Sequence, residues 1–493
     1  MFESAELGHT TDKKAYDRAL PRLREELLGL QEAVFQAQRF PVLIIVGGVD
    51  GAGKGETINI LNEWMDPHHI ETHAFGDASD EERERPPIWR YWRALPPRGK
   101  IGIFLAAWHS QPIIDRALGL IKAAELERRL EETLRFEQML ADEGALILKF
   151  WFHLSKKLQK KRLRALSRDP ETRWRVTGED WDRLAKYNRF REVSERALRE
   201  TSTAHAPWIV VEGYDPRYRS LAVGRILRDA LKKRLAETGE TAPRVTAPPI
   251  VRADGEDNVI GALDLSQKVS RKEYGARLGR LQSRLARLAR DRRLVDHAVL
   301  VVFEGSDAAG KGGAIRRVTS ALDARHYDVV AFAAPTEEER AQPYLWRFWR
   351  QVPRRGRFTL FDRSWYGRVL VERVEGLCRE SDWMRAYSEI NDFEQHLFNH
   401  GIIVVKFWLA ISKEEQLRRF KEREETSFKR FKITKEDWRN RKKWRDYETA
   451  TCDMVDRTST DVAPWDLVEA NDKLHARLKV MSVLCERIEA RLR

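Results

Sequence analysis

The chain has 493 residues, 42% hydrophobic and 34% charged, with a net charge of +13. That length exceeds one ordinary domain, and the apolar share is enough to build real cores, which excludes a disordered chain. The basic excess favours an acidic partner (a phosphate-rich ligand, nucleic acid or an anionic membrane), and no apolar run is long enough to span a bilayer.

The N-terminal stretch MFESAELGHTTDKKAYDRAL lacks the basic n-region and apolar h-region of a secretory leader. The three cysteines, Cys378, Cys452 and Cys485, are far apart and form no metal-binding spacing. Both observations fit a reduced, cytoplasmic setting. The first predicted element is an amphipathic docking helix over 11–39, followed by the strand-length run FPVLIIV and the loop VDGAGKG at 49–55.

The same pattern returns later. Shifting the sequence by 257 positions keeps it in register without a gap. VDGAGKG falls on SDAAGKG at 306–312, IWRYWRALPPRG at 88–99 on LWRFWRQVPRRG at 345–356, and LKFWFHLSKK at 148–157 on VKFWLAISKE at 405–414. A period this long means two copies of one domain. Residues 237–260, rich in Pro, Thr and Gly, read as the linker between a first domain over 1–236 and a second over 261–493.

The second copy opens with a lead-in helix over 270–293 and a buried strand, HAVLVVF, at 297–303. The glycine loop EGSDAAGKGG at 304–313 and a helix follow. Further strands are predicted at YDVVAFAA, RFTLF, IIVVKFWLA and PWDLVEA, separated by helical patterns such as SDWMRAYSEINDFEQHLFNH. Strands alternating with helices make each copy α/β with a mostly parallel sheet.

Strand, glycine loop, lysine and helix in that order form a phosphate cradle. Gly305, Ala309, Gly310, Gly312 and Gly313 leave backbone N–H groups free to face an anion, and Lys311 adds a mobile positive charge. The hydroxyl that usually follows the lysine and ligates Mg2+ is absent, because Gly312 stands there. Asp307 in the loop and Asp362 at a strand end are the candidate metal ligands, in the manner of a Walker B acid. Arg363, Arg368 and Arg373 follow closely, interrupted by Glu372, and are candidate clamps for phosphoryl oxygens.

The loop, FDRSWYGR at 361–368, KFW, RFKITKEDWRNR and APW together resemble the polyphosphate kinase 2 family, over essentially the whole chain. The resemblance implies a P-loop kinase-like three-layer sandwich with a helical lid in each copy. It also implies Mg2+-dependent phosphoryl transfer between inorganic polyphosphate and a nucleotide. The tandem arrangement points to AMP as acceptor and ADP as product, and the family forms multimers, so a homo-oligomer is expected. Asp307, Lys311, Asp362, Arg363 and Arg368 are then the expected catalytic set. Residues 413–445 hold 14 Lys/Arg against 7 Asp/Glu, a composition suited to a lid over a polyanion. Arg419, Arg423, Lys429, Arg430 and Lys432 are its candidate phosphate contacts, of which the first copy keeps Arg162, Arg173 and Arg175 as counterparts.

In the first copy FDRSWYGR has become FLAAWHSQ, so Asp362, Arg363 and Arg368 are replaced by Leu105, Ala106 and Gln111. The first copy is therefore expected to be inactive or nearly so, although it retains Asp50 and Lys54. Alternative readings are a nucleoside diphosphate acceptor, an ATP-dependent nucleoside monophosphate kinase, or a non-catalytic polyanion binder. Neither a nucleic acid nor a membrane partner is expected, since no recognised nucleic-acid motif occurs.

Overall fold

The computed structural model describes residues 1–237, 258–427, 431 and 433–493. Most of the linker read from sequence lies outside these residues, as do Lys429, Arg430 and Lys432. Residues Met1–Ala78, Arg90–Ala242 and Glu337–Pro343 form one compact unit, and Ser79–Trp89, Pro243–Thr336 and Tyr344–Arg493 form the other.

The first unit holds β1 (Val42–Gly48), β2 (Ile70–Ala74), β3 (Ile101–Leu105), β4 (Leu146–His153) and β5 (Trp208–Glu212), in the order β2-β3-β1-β4-β5. The second holds β6 (Ala298–Gly305), β7 (Tyr327–Ala331), β8 (Phe358–Asp362), β9 (Ile402–Ala410) and β10 (Trp465–Glu469), in the order β7-β8-β6-β9-β10. The two orders are identical, and among the described residues every strand pairing in both sheets is parallel. A parallel sheet needs cover on both faces, which is why the central strands read as unbroken apolar runs. All nine residues of β9 are buried, as are the first seven of β6. In the second unit the lead-in helix Arg271–Leu288 and the C-terminal helix Lys473–Leu492 close one side of the core through Leu285, Met481, Leu484 and Ile488. The order reverses beside the central strand, so the crevice at the carboxyl ends of β6, β8 and β9 is where such a sheet binds ligands.

A buried lysine–glutamate cluster lies inside each unit. Lys406 on β9 is fully buried, and its ammonium donates to Glu394 Oε2 (2.8 Å), Tyr366 OH (2.7 Å) and the Thr458 carbonyl (2.8 Å). Glu394 Oε1 accepts from Trp365 Nε1 (3.1 Å) and Tyr366 OH (2.7 Å). The first unit repeats the motif with Lys149, Glu137, Trp108 and the Thr201 carbonyl, and His109 stands where the second has Tyr366. This explains the frame that FLAAWHSQ and FDRSWYGR share. Trp365 and its counterpart Trp108 are ligands of a buried carboxylate, so the fold requires them whether or not the site works.

Breaking a buried pair leaves an uncompensated charge, which costs about 3–5 kcal/mol. Lys406→Met is expected to lower unfolding free energy by about that much in a urea titration. Lys406→Met combined with Glu394→Leu is expected to recover most of the loss, because no buried charge then remains.

Candidate active site

The phosphate loop of the second unit leaves β6 at Gly305. Its φ is +142°, and a Cβ there would lie 2.5 Å from the Leu409 carbonyl oxygen, so glycine is required. Lys311 opens the loop helix Lys311–Thr319 and folds back to donate to the Gly305 carbonyl at 2.7 Å. Asp307 accepts from Asn440 Nδ2 at 2.9 Å and lies 3.3 Å from Arg363 Nη2.

Asp362 ends β8, in register with Phe303 on β6 and Ala331 on β7. The next residue, Arg363, has φ +68°, a sparsely populated value for a non-glycine residue. Its backbone N–H is held by the Phe303 carbonyl (3.1 Å), and Ser364 donates to the buried Glu304 (2.8 Å). The sharp turn delivers the Asp362 and Arg363 side chains to the loop.

Asp307, Ala308, Ala309, Gly310, Lys311, Gly312, Gly313, Asp362 and Arg363 line one cavity of about 610 Å³. Arg316, Arg419, Arg423, Lys473 and Arg477 add positive charge to its walls. Lys473 has its pKa lowered, first by burial and then by repulsion from Arg419, and it lies 3.7 Å from Glu422, which with Glu436 and Asp437 also lines the cavity. A second cavity, of about 120 Å³, is walled by Trp408, Trp444, Tyr447, Leu370 and Val371. The two share Asp307, Arg363 and Asn440.

The sequence profile described as polyphosphate kinase 2 matches residues 10–239 and 268–493. The chain belongs to the polyphosphate kinase 2 family. It is 57% identical to a protein of Pseudomonas aeruginosa named polyphosphate:AMP phosphotransferase, over 99% of both chains. It is 37% identical to one of the same name from Acinetobacter johnsonii, over 92% of both. A GDP-polyphosphate phosphotransferase of Mycobacterium tuberculosis is 40% identical over 45% of this chain and 76% of its own length. The crystal structure of a putative polyphosphate kinase 2 from Pseudomonas aeruginosa superposes with a TM-score of 0.89 at 55% identity, covering 100% of this chain and 99% of that one.

For a polyphosphate kinase 2 chain, the donor set in the large cavity fits a hard divalent ion. Among the described residues, no hydrogen bond or ion pair engages the Asp362 carboxylate, although it faces the phosphate loop. No group of three or more His, Cys, Asp or Glu that could hold a metal occurs among the described residues. The two carboxylates Asp307 and Asp362 are oxygen donors of the kind that suits a hard divalent cation.

Three of the residues expected at the site have other partners in this structure. Arg419 is buried, and all five of its N–H donors are engaged: by Glu415, by the Ala308 (2.9 Å) and Ala309 (2.8 Å) carbonyls of the loop, and by the Ala470 (2.6 Å) and Asn471 (2.9 Å) carbonyls. It braces the loop and has no N–H left for a phosphate. Arg368 pairs with Glu372 (2.8 Å) and stacks on Tyr344, and it lines neither cavity. Arg373 pairs with Asp453 (2.7 Å), bonds Tyr387 OH (3.0 Å), and likewise lines neither. Arg423 does line the large cavity. The cations that sequence reading missed are Arg316, Lys473 and Arg477. The repeat carried a signal for them, since their first-copy counterparts are the uncharged Asn59, Pro216 and Ser220.

The first unit answers its own phosphate loop with side chains. Glu56, where the second copy has Gly313, sits in the first turn of the helix Lys54–Trp64. It is bound by Arg162 (3.0 Å) and Arg219 (2.8 Å). Arg219 is buried, and its guanidinium carbon lies 2.1 Å from where a Cβ on Gly53 would be. It also donates to Thr57 Oγ1 (2.9 Å) and the Gly213 carbonyl (3.1 Å). Asp50 is held by Arg183 at 2.9 Å. The helix N-terminus thus has a built-in anion, and its counter-ion fills the loop. Sequence reading stopped at the GKG triplet and missed Glu56.

Arg419→Met is expected to loosen the loop and lower turnover by about 10²-fold, the cost of roughly 1 Å of misplacement. Steady-state kinetics with a melting curve would check it. Glu304 has its pKa raised, chiefly by burial. The native state therefore keeps a proton that the unfolded chain has already lost, and wild-type stability falls as pH climbs from the ordinary carboxyl value of about 4.3 through the raised one. Glu304→Gln removes this dependence. Its stability relative to wild type is expected to rise between pH 4 and pH 8 in denaturant titrations.

Proposed function

We propose that the second unit transfers the terminal phosphoryl group of inorganic polyphosphate to AMP, giving ADP, with Mg2+ as the metal. The observation that carries this reading is the pair of cavities meeting at Asp307, Arg363 and Asn440, one basic and built on the phosphate loop, the other walled by aromatic rings. Polyphosphate occupies the first. The AMP nucleoside occupies the second, against Trp444 and Tyr447, with its phosphate turned toward Arg363. The acceptor has support from names: relatives matching at least 92% of this chain are named polyphosphate:AMP phosphotransferases, whereas those named for nucleoside diphosphates match about half of it.

The chemistry asks little beyond position and charge. An AMP phosphate oxygen is already ionised at neutral pH, so no strong base is required. It attacks the terminal phosphorus in line, the bond to the bridging oxygen breaks, and the shortened polyphosphate leaves as an anion. Lys311 exchanges its contact with the Gly305 carbonyl for a phosphate oxygen. Arg363, at the junction, neutralises charge on the group in transit. Asp307 and Asp362 would hold Mg2+, which would neutralise charge on phosphate oxygens. The first unit, with Leu105 and Ala106 at the positions of Asp362 and Arg363 and with Glu56 and Arg219 in its loop, does not catalyse transfer.

The test is ADP formation from AMP, polyphosphate and Mg2+ without ATP. Expected outcomes are full loss with EDTA and losses of about 10²–10³-fold in Lys311→Ala and Asp362→Ala, with Lys54→Ala within about twofold of wild type. An equal loss in Lys54→Ala would overturn the single working unit. Transfer to ADP or GDP but not AMP would change the acceptor, and transfer from ATP alone would change the donor.

A further inference from the structure

The helix Lys156–Arg168 of the first unit carries seven cations and no carboxylate. Lys156, Lys160, Arg164 and Arg168 recur every four residues, so they form one stripe with a step of about 6 Å along the helix axis. All four are exposed, and so are the neighbouring Lys157 and Lys161. Among the described residues none of these six has an ion pair or a side-chain hydrogen bond; only Arg162 on this helix is paired, with Glu56. Like charges four residues apart repel, and cations in the first turn oppose the helix dipole. The helix therefore carries an electrostatic cost that a bound polyanion would remove.

The corresponding helix of the second unit, Lys413–Glu425, shows that the fold does not demand this. It holds five cations and five glutamates. Arg418 pairs with Glu415 (2.7 Å) and Glu422 (3.5 Å). The positions matching the stripe are Lys413, Leu417, Lys421 and Glu425. The unit whose phosphate loop is filled by its own side chains thus has the more basic helix.

We infer that this stripe is a docking track for inorganic polyphosphate, separate from the catalytic loop. The inference rests on the reading that the second unit consumes polyphosphate. A linear polymer with about one negative charge per phosphorus matches an evenly spaced line of ammonium and guanidinium groups. A single-stranded nucleic acid binder needs successive aromatic platforms for bases. Here the nearby exposed aromatic is Trp174, with the Arg175 guanidinium 5.3 Å from its ring centroid. A membrane-surface helix needs an exposed apolar face, whereas Leu163 is buried and Leu158 and Leu166 are half-buried. Because both units belong to one chain, polyphosphate held on the first is concentrated for the second.

The test is binding of labelled polyphosphate of about 100 residues to the full chain, wild type against K156Q/K160Q/R164Q/R168Q, across a salt series. The variant is expected to bind at least 10-fold more weakly at low salt. Its log–log salt slope should be shallower by about 3, at roughly 0.7 per lost contact. Its apparent KM for long polyphosphate should rise while KM for AMP stays fixed. Its melting temperature should hold or increase, since repulsion is relieved, and K156R/K160R should bind like wild type. Unchanged polyphosphate binding would overturn the inference, as would loss of single-stranded RNA binding with polyphosphate binding intact. Binding is read without turnover, so a failed ADP assay with binding lost in the variant would sink the functional reading and leave the track standing.

Discussion

The Lys406–Glu394 ion pair is the constraint on which the second unit's site depends. A lysine and a glutamate both sealed from water must find every partner within the protein. They find Trp365, Tyr366 and the Thr458 carbonyl, and so fix the segment that follows β8. With Trp365 and Tyr366 pinned, the three residues before them have little freedom. Asp362 and Arg363 are therefore presented to the loop by a turn that the core enforces, even though it places Arg363 at positive φ. The first unit keeps the pair as Lys149 and Glu137 and keeps the turn, with Ala106 at φ +57°. The framework is the same although the side chains it presents differ.

Much of this was legible in the sequence, because the signals were local. The buried strands declared themselves as apolar runs: HAVLVVF became β6, RFTLF became β8 with Asp362 as its last residue, and IIVVKFWLA became β9. The phosphate loop was legible because glycines, lysine and helix are adjacent in the chain. The 257-residue register exposed the stripped segment at once. What stayed hidden involved partners far apart in sequence. Arg419 looked like a surface cation on a basic lid, and only its approach to carbonyls 110 or more residues upstream shows that its donors are taken. Arg368 and Arg373 sit two and seven residues after Tyr366, yet the fold gives each its own carboxylate. Lys473 and Arg477 come into the cavity from the last helix, whose sequence says only that it is amphipathic.

Between the copies, charge has been redistributed rather than simply lost. The second unit leaves its loop free of acid after Lys311 and gathers cations around it. The first unit places Glu56 there and spends Arg162 and Arg219 on neutralising it. Asp307 lies between the Asn440 amide and the Arg363 guanidinium, and Asp50 is held by the Arg183 guanidinium. Both loop carboxylates thus have a guanidinium partner, and what differs is the second contact, an amide at Asp307 and the Lys54 ammonium at Asp50.

Arg419 has a mechanical consequence. Its fork joins the phosphate loop, the helix Lys413–Glu425 and the segment after β10 by five hydrogen bonds. Opening the cradle would mean breaking these bonds. The helix Lys435–Lys442 is held differently: it reaches the loop through the Asn440 amide, is tied to Glu375 by Arg439, and bonds the Lys413 carbonyl and Gln416 through Arg441. Among the described residues its hydrogen bond to the loop itself is the single Asn440–Asp307 contact. A side chain at position 440 that could not donate to Asp307 would part the helix from the loop without touching the five bonds of the Arg419 fork.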